Sequence, residues 1–270
     1  MTSYILDVTS VSPLSKNKPR QVIVLCHGYG GDGKDISTLA INWQRFLPDA
    51  IFLCPNAPEV CTVNPQGYQW FDSRAEKEEA ILEKSLVAEE KLSTFIDQVC
   101  DNLQLEFTNL ALVGFSQGCM MSIQVGLKKK KKINCLIGYS GKVINQKHLS
   151  DNINSKPKIF LMHGANDTIV PPTHLLEAKE YLSNLGIKIK TKLFKNCEHG
   201  IPVEQRPIRV EELVNADELF FTGTTGEVRP CVQVDGEPIG IGRPGDVTVA
   251  LSQAFLDLVQ QTKEGVAAVG

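Results

Sequence analysis

Short, unbroken runs of apolar residues recur along the first two thirds of the chain, and they limit the fold more than any other feature. Each run is too short for a helix but fits a strand that is buried on both faces of a parallel sheet. The five unbroken runs are QVIVLCH at 21–27, AIFLC at 50–54, LALVGF at 110–115, INCLIGY at 133–139 and KIFLM at 158–162. A sixth run, IKIKTKLF at 187–194, alternates polar and apolar residues, which is typical of an edge strand.

Helical patterns separate these runs. They cover 34–46, 76–102 and 117–128, and a fourth begins at Pro171-Pro172 and ends near Leu185. Strands that alternate with helices predict an α/β fold, with a mostly parallel sheet flanked by helices. Ligands of such sheets bind beyond the carboxyl ends of the strands, so we expect the chemistry of the chain there.

Composition and charge argue against several classes of function. The net charge of −3 provides no basic field that would attract nucleic acid. No apolar run approaches the roughly 20 residues of a membrane span, and the N-terminus lacks the pattern of a secretory signal, so we expect a cytoplasmic protein without stable membrane insertion. The eight cysteines include no CxxC pair, which predicts free thiols rather than a zinc site or a disulfide framework. A local disulfide bridge between Cys54 and Cys61 is the alternative that the spacing allows.

A serine follows the third apolar run in the pattern GxSxG, which is formed by Gly114-Phe115-Ser116-Gln117-Gly118. The pattern lies between a predicted strand and a predicted helix. A serine on such a sharp turn stands exposed above the sheet, and the small residues on either side allow the turn to close. The helix that begins here also directs its N-terminal amides at developing negative charge. Ser116 is therefore the predicted nucleophile.

A serine hydroxyl is a weak nucleophile at neutral pH and needs a base. We predict His199 as that base because it follows the last predicted strand, in the sequence NCEHG. His27 and His163 each precede a glycine at a strand end, which favours a structural role in holding loops. His148 and His174 have the surroundings of surface residues.

The base in turn needs a carboxylate that fixes its tautomer and stabilises the imidazolium. Asp167 lies in the loop HGANDTIVP after the fifth apolar run and is the only carboxylate between Asp151 and Glu177. It is the predicted acid. A role as a cap of the helix near Pro171 is the weaker alternative, and Glu198 is disfavoured because it is adjacent to His199.

Two backbone amides must stabilise the oxyanion of such a reaction. One is the amide of Gln117, directly after the nucleophile. The other is expected from the loop HGYGGDG at 27–33, whose glycines allow a close approach of the backbone to a substrate. This loop contains neither a Walker Lys-Ser/Thr pair nor GxGxxG, so a nucleotide site is not predicted.

These motifs together resemble the phospholipase/carboxylesterase family of α/β-hydrolases, which includes the acyl-protein thioesterases. The resemblance covers 1–204 and rests on LCHGYGGDG, CPNAPEVCTVNPQGYQWFD, GFSQG, HGANDTIVP and EHGI, in that order. It implies a metal-independent serine hydrolase of carboxylic esters or thioesters, without a cofactor and with a small-molecule or lipid acyl ester as substrate. It further implies the triad Ser116, Asp167 and His199, an oxyanion hole from the amides of Tyr29 and Gln117, and Trp70 in the wall of the acyl pocket. The natural substrate, the acyl chain length and the oligomeric state stay open.

The composition changes near residue 205. Residues 1–200 contain 20 Lys and 3 Arg, whereas 201–270 contain 1 Lys and 4 Arg, and the second part is strongly acidic. Residues 205–262 resemble the C-terminal piece of class IV (branched-chain type) aminotransferases, including the turn Thr222-Gly223-Thr224, which helps to bind pyridoxal phosphate in that family. The Schiff-base lysine and most of that cofactor pocket are not recognisable, so we predict no cofactor. We expect a C-terminal α+β segment of separate origin at 205–270.

This segment occupies the place of the terminal helix that the hydrolase family packs on its sheet. We expect a hairpin from Leu213–Thr222 and Val228–Val234. Two outcomes follow. In one outcome, an amphipathic helix at 247–262 takes over the position of the missing helix, and the enzyme is then active. Alternatively, the chain folds but the replaced C-terminus misplaces His199 and impairs catalysis, since a displacement of about 1 Å can cost two orders of magnitude in rate.

Overall fold

The computed structural model describes residues 4–72, 78–201, 209–223 and 227–254. The chain forms two compact units, Met1–Val203 and Glu204–Gly270. The first unit contains the apolar runs and the serine motif, and the second contains the segment of different composition.

A seven-stranded sheet forms the centre of the first unit, in the order β1-β3-β2-β6-β7-β8-β9. All neighbouring strands pair in parallel except β1, which pairs antiparallel with β3. A separate two-stranded hairpin is formed by β4 and β5. The strands are β1 (Val8–Val11), β2 (Gln21–Cys26), β3 (Ala50–Pro55), β4 (Glu59–Val60), β5 (Tyr68–Gln69), β6 (Leu110–Phe115), β7 (Cys135–Tyr139), β8 (Lys158–Gly164) and β9 (Ile189–Phe194).

Helices flank this sheet, so the predicted α/β fold is confirmed. Side chains of α2, α3 and α5 share one buried cluster with the strands, and side chains of α1 share a second cluster with other residues of the same strands. The two clusters form because successive residues of a strand point to opposite faces of the sheet. The helices are α1 (Gly33–Trp43), α2 (Glu78–Leu103), α3 (Gln117–Lys128), α4 (Gln146–Ser150) and α5 (Thr173–Asn184).

Each of the six apolar runs forms a strand, and the alternating run forms the predicted edge strand β9. The sequence analysis did not identify β1 or the β4–β5 hairpin. Their residues, such as the VTSV of β1, are partly exposed and form no apolar run. Pattern alone therefore gave no signal for them.

The second unit contains α6 (Val210–Val214) and two short antiparallel pairs. One pair is β10 (Phe220–Gly223) with β11 (Glu227–Pro230), and the other is β12 (Gln233–Val234) with β13 (Glu237–Pro238). The expected hairpin is thus shorter than predicted, because Leu213 lies in α6. Residues 246–254 are helical, and the rest of the predicted helix at 247–262 lies outside the described residues.

The carboxylate of Glu218 holds the start of that helix. It accepts hydrogen bonds from the amides of Val247 (3.0 Å) and Thr248 (2.8 Å) and from the Thr248 hydroxyl (2.7 Å). A negative charge at this position satisfies amides that have no partner within the helix and interacts favourably with its dipole.

All eight cysteines have free thiols, so the bridge between Cys54 and Cys61 is absent. Burial raises the pKa of Cys26, Cys54 and Cys119 to about 12, which keeps these thiols protonated at neutral pH. Within the described ranges, no helix combines the length and the apolar character needed to cross a bilayer.

Candidate active site

Ser116 lies on the sharp turn between β6 and α3. Its φ of 53° and ψ of −118° are unusual for a residue with a side chain. The turn is held because the Ser116 amide donates to the Tyr139 carbonyl (2.9 Å) in the neighbouring strand, while α3 continues directly from Gln117. Such a conformation persists only where the surrounding structure imposes it, and it is typical of functional sites.

The two glycines of GxSxG are required by packing. A Cβ atom on Gly114 would collide with the carbonyl group of Gly118, and one on Gly118 would collide with the carbonyl groups of Cys26 and His27. The turn therefore closes only with glycine at both positions, which explains why the motif has small residues on either side of the serine.

The structure brings the three predicted catalytic residues together. His199 Nε2 lies 3.0 Å from Ser116 Oγ, and His199 Nδ1 lies 2.8 Å from Asp167 Oδ2. Because a carboxylate only accepts, the proton of the neutral imidazole belongs on Nδ1, and Nε2 is free to accept the serine proton. The three residues follow β6, β8 and β9 at their carboxyl ends.

Asp167 is held by several hydrogen bonds. Its Oδ1 accepts from the amides of Ile169 (2.9 Å) and Val170 (2.8 Å), and its Oδ2 faces His199. Burial alone would raise the pKa of this carboxyl, but the hydrogen bonds from His199 and the two amides outweigh it and lower the pKa below its ordinary value. Asp167 is therefore ionised at neutral pH. Both amides precede α5, so the alternative role as a cap of that helix is not supported.

His163 is a further contact of Asp167 that the sequence analysis missed. Its Nε2 lies 2.8 Å from the Val170 carbonyl and 3.1 Å from Asp167 Oδ2. Both partners are acceptors, so Nε2 carries the proton and shares it between them. The ring thus holds the loop that carries the acid, as expected for a structural histidine, and also stabilises the carboxylate directly.

The loop of His199 is anchored by the first unit itself. The Asn166 amide donates to the Cys197 carbonyl (3.0 Å), and the Ser140 hydroxyl donates to the Gly200 carbonyl (3.0 Å). The Phe115 ring also packs against the imidazole, with ring centroids 5.1 Å apart. The alternative in which His199 is misplaced is therefore not favoured. No sequence pattern pointed to Ser140, because its role depends on a contact across 60 residues.

The loop after β2 and the start of α3 together have two features expected of an oxyanion hole. In the part of the chain that the structure describes, neither the Tyr29 amide nor the Gln117 amide donates to a protein acceptor. Gly28 lies close to the nucleophile, since a Cβ atom on it would be 3.3 Å from that of Ser116.

The β4–β5 hairpin and the segment before it hold this loop in place. The Gly30 amide donates to Tyr68 (2.9 Å), and the Tyr68 amide donates to Gly31 (2.9 Å). His27 adds two contacts, since its Nδ1 donates to the Gly28 carbonyl (2.7 Å) and its Nε2 accepts from the Ala57 amide (2.9 Å). The loop geometry is thus fixed before a substrate binds.

The prediction that Trp70 lines the acyl pocket is corrected. Its side chain is fully buried, so it has no surface to offer a substrate. Its indole N–H donates to the His27 carbonyl (2.9 Å), and its amide donates to Gln117 Oε1 (3.2 Å). Gln117 Nε2 in turn donates to the Phe71 carbonyl (2.8 Å). Trp70 therefore lies on the core side of the expected oxyanion hole and holds the two segments that carry its amides.

His27 makes the stability of the first unit depend on pH. Burial lowers the pKa of His27, so protonation of the ring is disfavoured in the folded state. Below the unfolded-state pKa of about 6.5, His27 binds a proton more readily in the unfolded chain than in the folded chain. The free energy of unfolding therefore falls as the pH falls. We expect this residue to contribute a loss of up to about 1.4 kcal/mol per pH unit from pH 6.5 down to its folded pKa.

Urea unfolding measured by tryptophan fluorescence at pH 8 and pH 5.5 tests this expectation, since both tryptophans, Trp43 and Trp70, belong to the first unit. His27→Gln should be less stable than the parent at pH 8 but lose less stability on acidification. Equal losses in the two proteins would contradict the assignment.

Comparisons with known proteins agree with this geometry. A family model described as phospholipase/carboxylesterase matches residues 10–207. The crystal structure of esterase PE8 aligns with a TM-score of 0.70 and 34% identity, over 73% of this chain and 92% of that one. Acyl-protein thioesterase 1 of Emericella nidulans is 26% identical over 216 residues, which cover 73% of this chain and 88% of that protein.

The expected similarity to aminotransferases is confirmed as well. A branched-chain-amino-acid aminotransferase of Pseudomonas aeruginosa is 46% identical over 79 residues. These residues make up 29% of this chain, which spans only 26% of the length of that enzyme. The likeness is therefore restricted to a fragment.

Proposed function

The chain belongs to the phospholipase/carboxylesterase family and is a carboxylic ester hydrolase, and on this premise we propose that it cleaves esters or thioesters through an acyl-enzyme on Ser116. The observation that carries the proposal is the continuous hydrogen-bond chain from Ser116 through His199 to Asp167. This chain is the arrangement that converts a weak hydroxyl into a nucleophile.

In the first half of the reaction, Ser116 Oγ attacks the carbonyl carbon while His199 Nε2 takes the serine proton. The amides of Tyr29 and Gln117 stabilise the oxyanion, and each such donor typically lowers the barrier by about 3 kcal/mol. His199 then gives its proton to the departing alkoxide or thiolate. Asp167 stays ionised throughout and stabilises the imidazolium.

In the second half, His199 Nε2 removes a proton from water, which attacks the acyl carbon. The bond between the acyl carbon and Ser116 Oγ then breaks, His199 returns the proton to Ser116 Oγ, and the carboxylic acid leaves. Every step uses a group of this chain, so the proposed reaction requires neither a metal ion nor an organic cofactor. The substrate class follows from the same chemistry and from the thioesterase and esterase relatives: a small-molecule or lipid acyl ester, or a thioester.

Hydrolysis of p-nitrophenyl acetate, butyrate and octanoate by the full chain tests the proposal, with S-phenyl thiobutyrate as a thioester. We expect turnover of both classes that stops when a fluorophosphonate labels one serine per chain, identified as Ser116 by peptide mass spectrometry. A well-folded sample that shows neither turnover nor labelling would overturn the proposal and support the impaired enzyme instead.

A further inference from the structure

A cavity of about 280 Å³ lies beside the triad and has no part in the mechanism described above. Its walls come from the loop after β2, from α1 and from Phe115 and Ile201. The apolar side chains that line it are Ile36, Leu39, Phe115 and Ile201. We call this cavity the α1 slot.

The α1 slot adjoins the residues that surround Ser116 and His199. Gly28 and Tyr29 line it. A Cβ atom on Gly28 would lie 3.3 Å from the Cβ atom of Ser116. Phe115, another lining residue, packs against the His199 ring at a tilted angle, and Ile201 follows His199 by two residues in sequence. A group in the slot therefore contacts residues that adjoin both the expected oxyanion donor and the base.

The position of the base decides whether the leaving group or the acyl group of the ester, its two arms, fits in the slot. His199 Nε2 must hand its proton to the leaving oxygen or sulfur, so the leaving group has to lie on the His199 side of the acyl carbon. We place the slot on that side because Phe115 lines it and packs against the His199 ring. The acyl arm then extends in the other direction.

The lining also limits the chemistry of the leaving group. Of the residues that line the slot in the described part of the chain, Asp35 alone carries a full charge at neutral pH, and it lies on the exposed side of α1. An acidic residue at the mouth of an apolar cavity repels phosphate and carboxylate groups. The volume is slightly below the usual range for drug-sized ligands, which suits a short alkyl or single-ring group.

Resting on the proposed function, we propose that the α1 slot binds the leaving group of the substrate, and that the enzyme prefers esters of small, uncharged, apolar alcohols. The slot thereby selects the alcohol or thiol independently of the acyl chain. Leu39 of α1 is half-buried and lines the slot, so its substitution changes the space available there.

Two substrate series separate the two arms of the ester. Methyl and butyl butyrate differ only in the alcohol and have similar intrinsic reactivity, whereas methyl butyrate and methyl octanoate differ only in the acid. The ratio of kcat/KM for butyl over methyl butyrate should be about 10 to 50 in the parent, because three further methylene groups leave water. The ratio kcat/KM reports all steps up to release of the alcohol, so it responds to this arm.

Leu39→Trp should fill the slot and lower the butyl/methyl ratio to about 1, while the octanoate/butyrate ratio stays within threefold of the parent. Leu39→Ala, which removes atoms and is easier to accommodate, should raise kcat/KM for cyclohexyl butyrate relative to methyl butyrate. Ile41→Trp is the matched control, since Ile41 lies on the same helix with 41% of its surface exposed, and both ratios should stay as in the parent.

Three results would overturn the inference. If Leu39→Trp changes the octanoate/butyrate ratio instead, the slot holds the acyl arm. If neither ratio changes in either Leu39 variant, the slot binds no part of the substrate. An inactive parent whose Ser116 resists fluorophosphonate labelling points to failure of the proposed function itself, whereas a labelled, active parent with unchanged ratios points to failure of the slot alone.

Discussion

Ser116→Ala is expected to lower kcat for p-nitrophenyl butyrate by about a millionfold and to abolish fluorophosphonate labelling. Loss of the nucleophile of a triad removes nearly all of the chemistry that the three residues perform as a unit, and only the contribution of the oxyanion hole and substrate binding remains. The Ser116 side chain makes no capping hydrogen bond to α3, so its removal does not expose the start of the helix. The loss should therefore appear in kcat with little change in the urea midpoint.

Ser122→Ala is the matched control for this experiment. Ser122 is fully buried in the same helix but lies outside the hydrogen-bond chain, and its variant should keep kcat within about threefold of the parent. Residual turnover of more than 1% in Ser116→Ala, with a normal urea midpoint, would contradict the assigned nucleophile.

Asp167→Asn is expected to lower kcat by about 10⁴-fold. Because Oδ1 accepts from two backbone amides, the asparagine carbonyl must stay at that position. Its NH₂ group then points at His199 Nδ1, which is itself a donor. The imidazole has to move its proton to Nε2, where it blocks acceptance of the serine proton.

The NH₂ group also faces His163 Nε2–H, so the variant should be less stable than the parent at neutral pH. The sign of the pH dependence follows from the lowered pKa of Asp167. Its stabilising effect is present above the ordinary carboxyl pKa and is lost as the pH falls through the folded-state value, so the two proteins should converge in stability at very acidic pH.

Measurement of kcat from pH 6 to pH 9 and of urea midpoints from pH 3 to pH 8 checks both parts. Asp151→Asn, a substitution at an exposed carboxylate, is the control. A fall in kcat of less than tenfold in Asp167→Asn would contradict the proposal that Asp167 is the acid that orients His199.

The sheet and the three reacting side chains could be predicted from the sequence because both follow local rules. A strand buried on both faces must be apolar without interruption, and the residues that begin the loops after β6, β8 and β9 must meet at one edge of the sheet. The nucleophile was marked further by the two glycines that its turn requires.

The residues that support the site could not be predicted in this way. Ser140, His163 and Gln117 act through side chains whose partners lie far away in sequence or depend on the exact path of a loop. The burial of Trp70 was missed for the same reason. The sequence places it in a loop near the site, but only the packed structure decides whether its ring points toward the substrate or toward the core.

The segment from Ala57 to Phe71 contacts both loops that carry the expected oxyanion donors. Ala57, Tyr68 and Trp70 bind the loop of Tyr29, while Trp70 and Phe71 bind the side chain of Gln117. The two donors are thus mechanically coupled through one short piece of chain, whose described regular structure is only the two-residue strands β4 and β5. Because local opening never costs more free energy than global unfolding, opening of this piece would displace both donors at once and inactivate the enzyme while its central sheet is still intact.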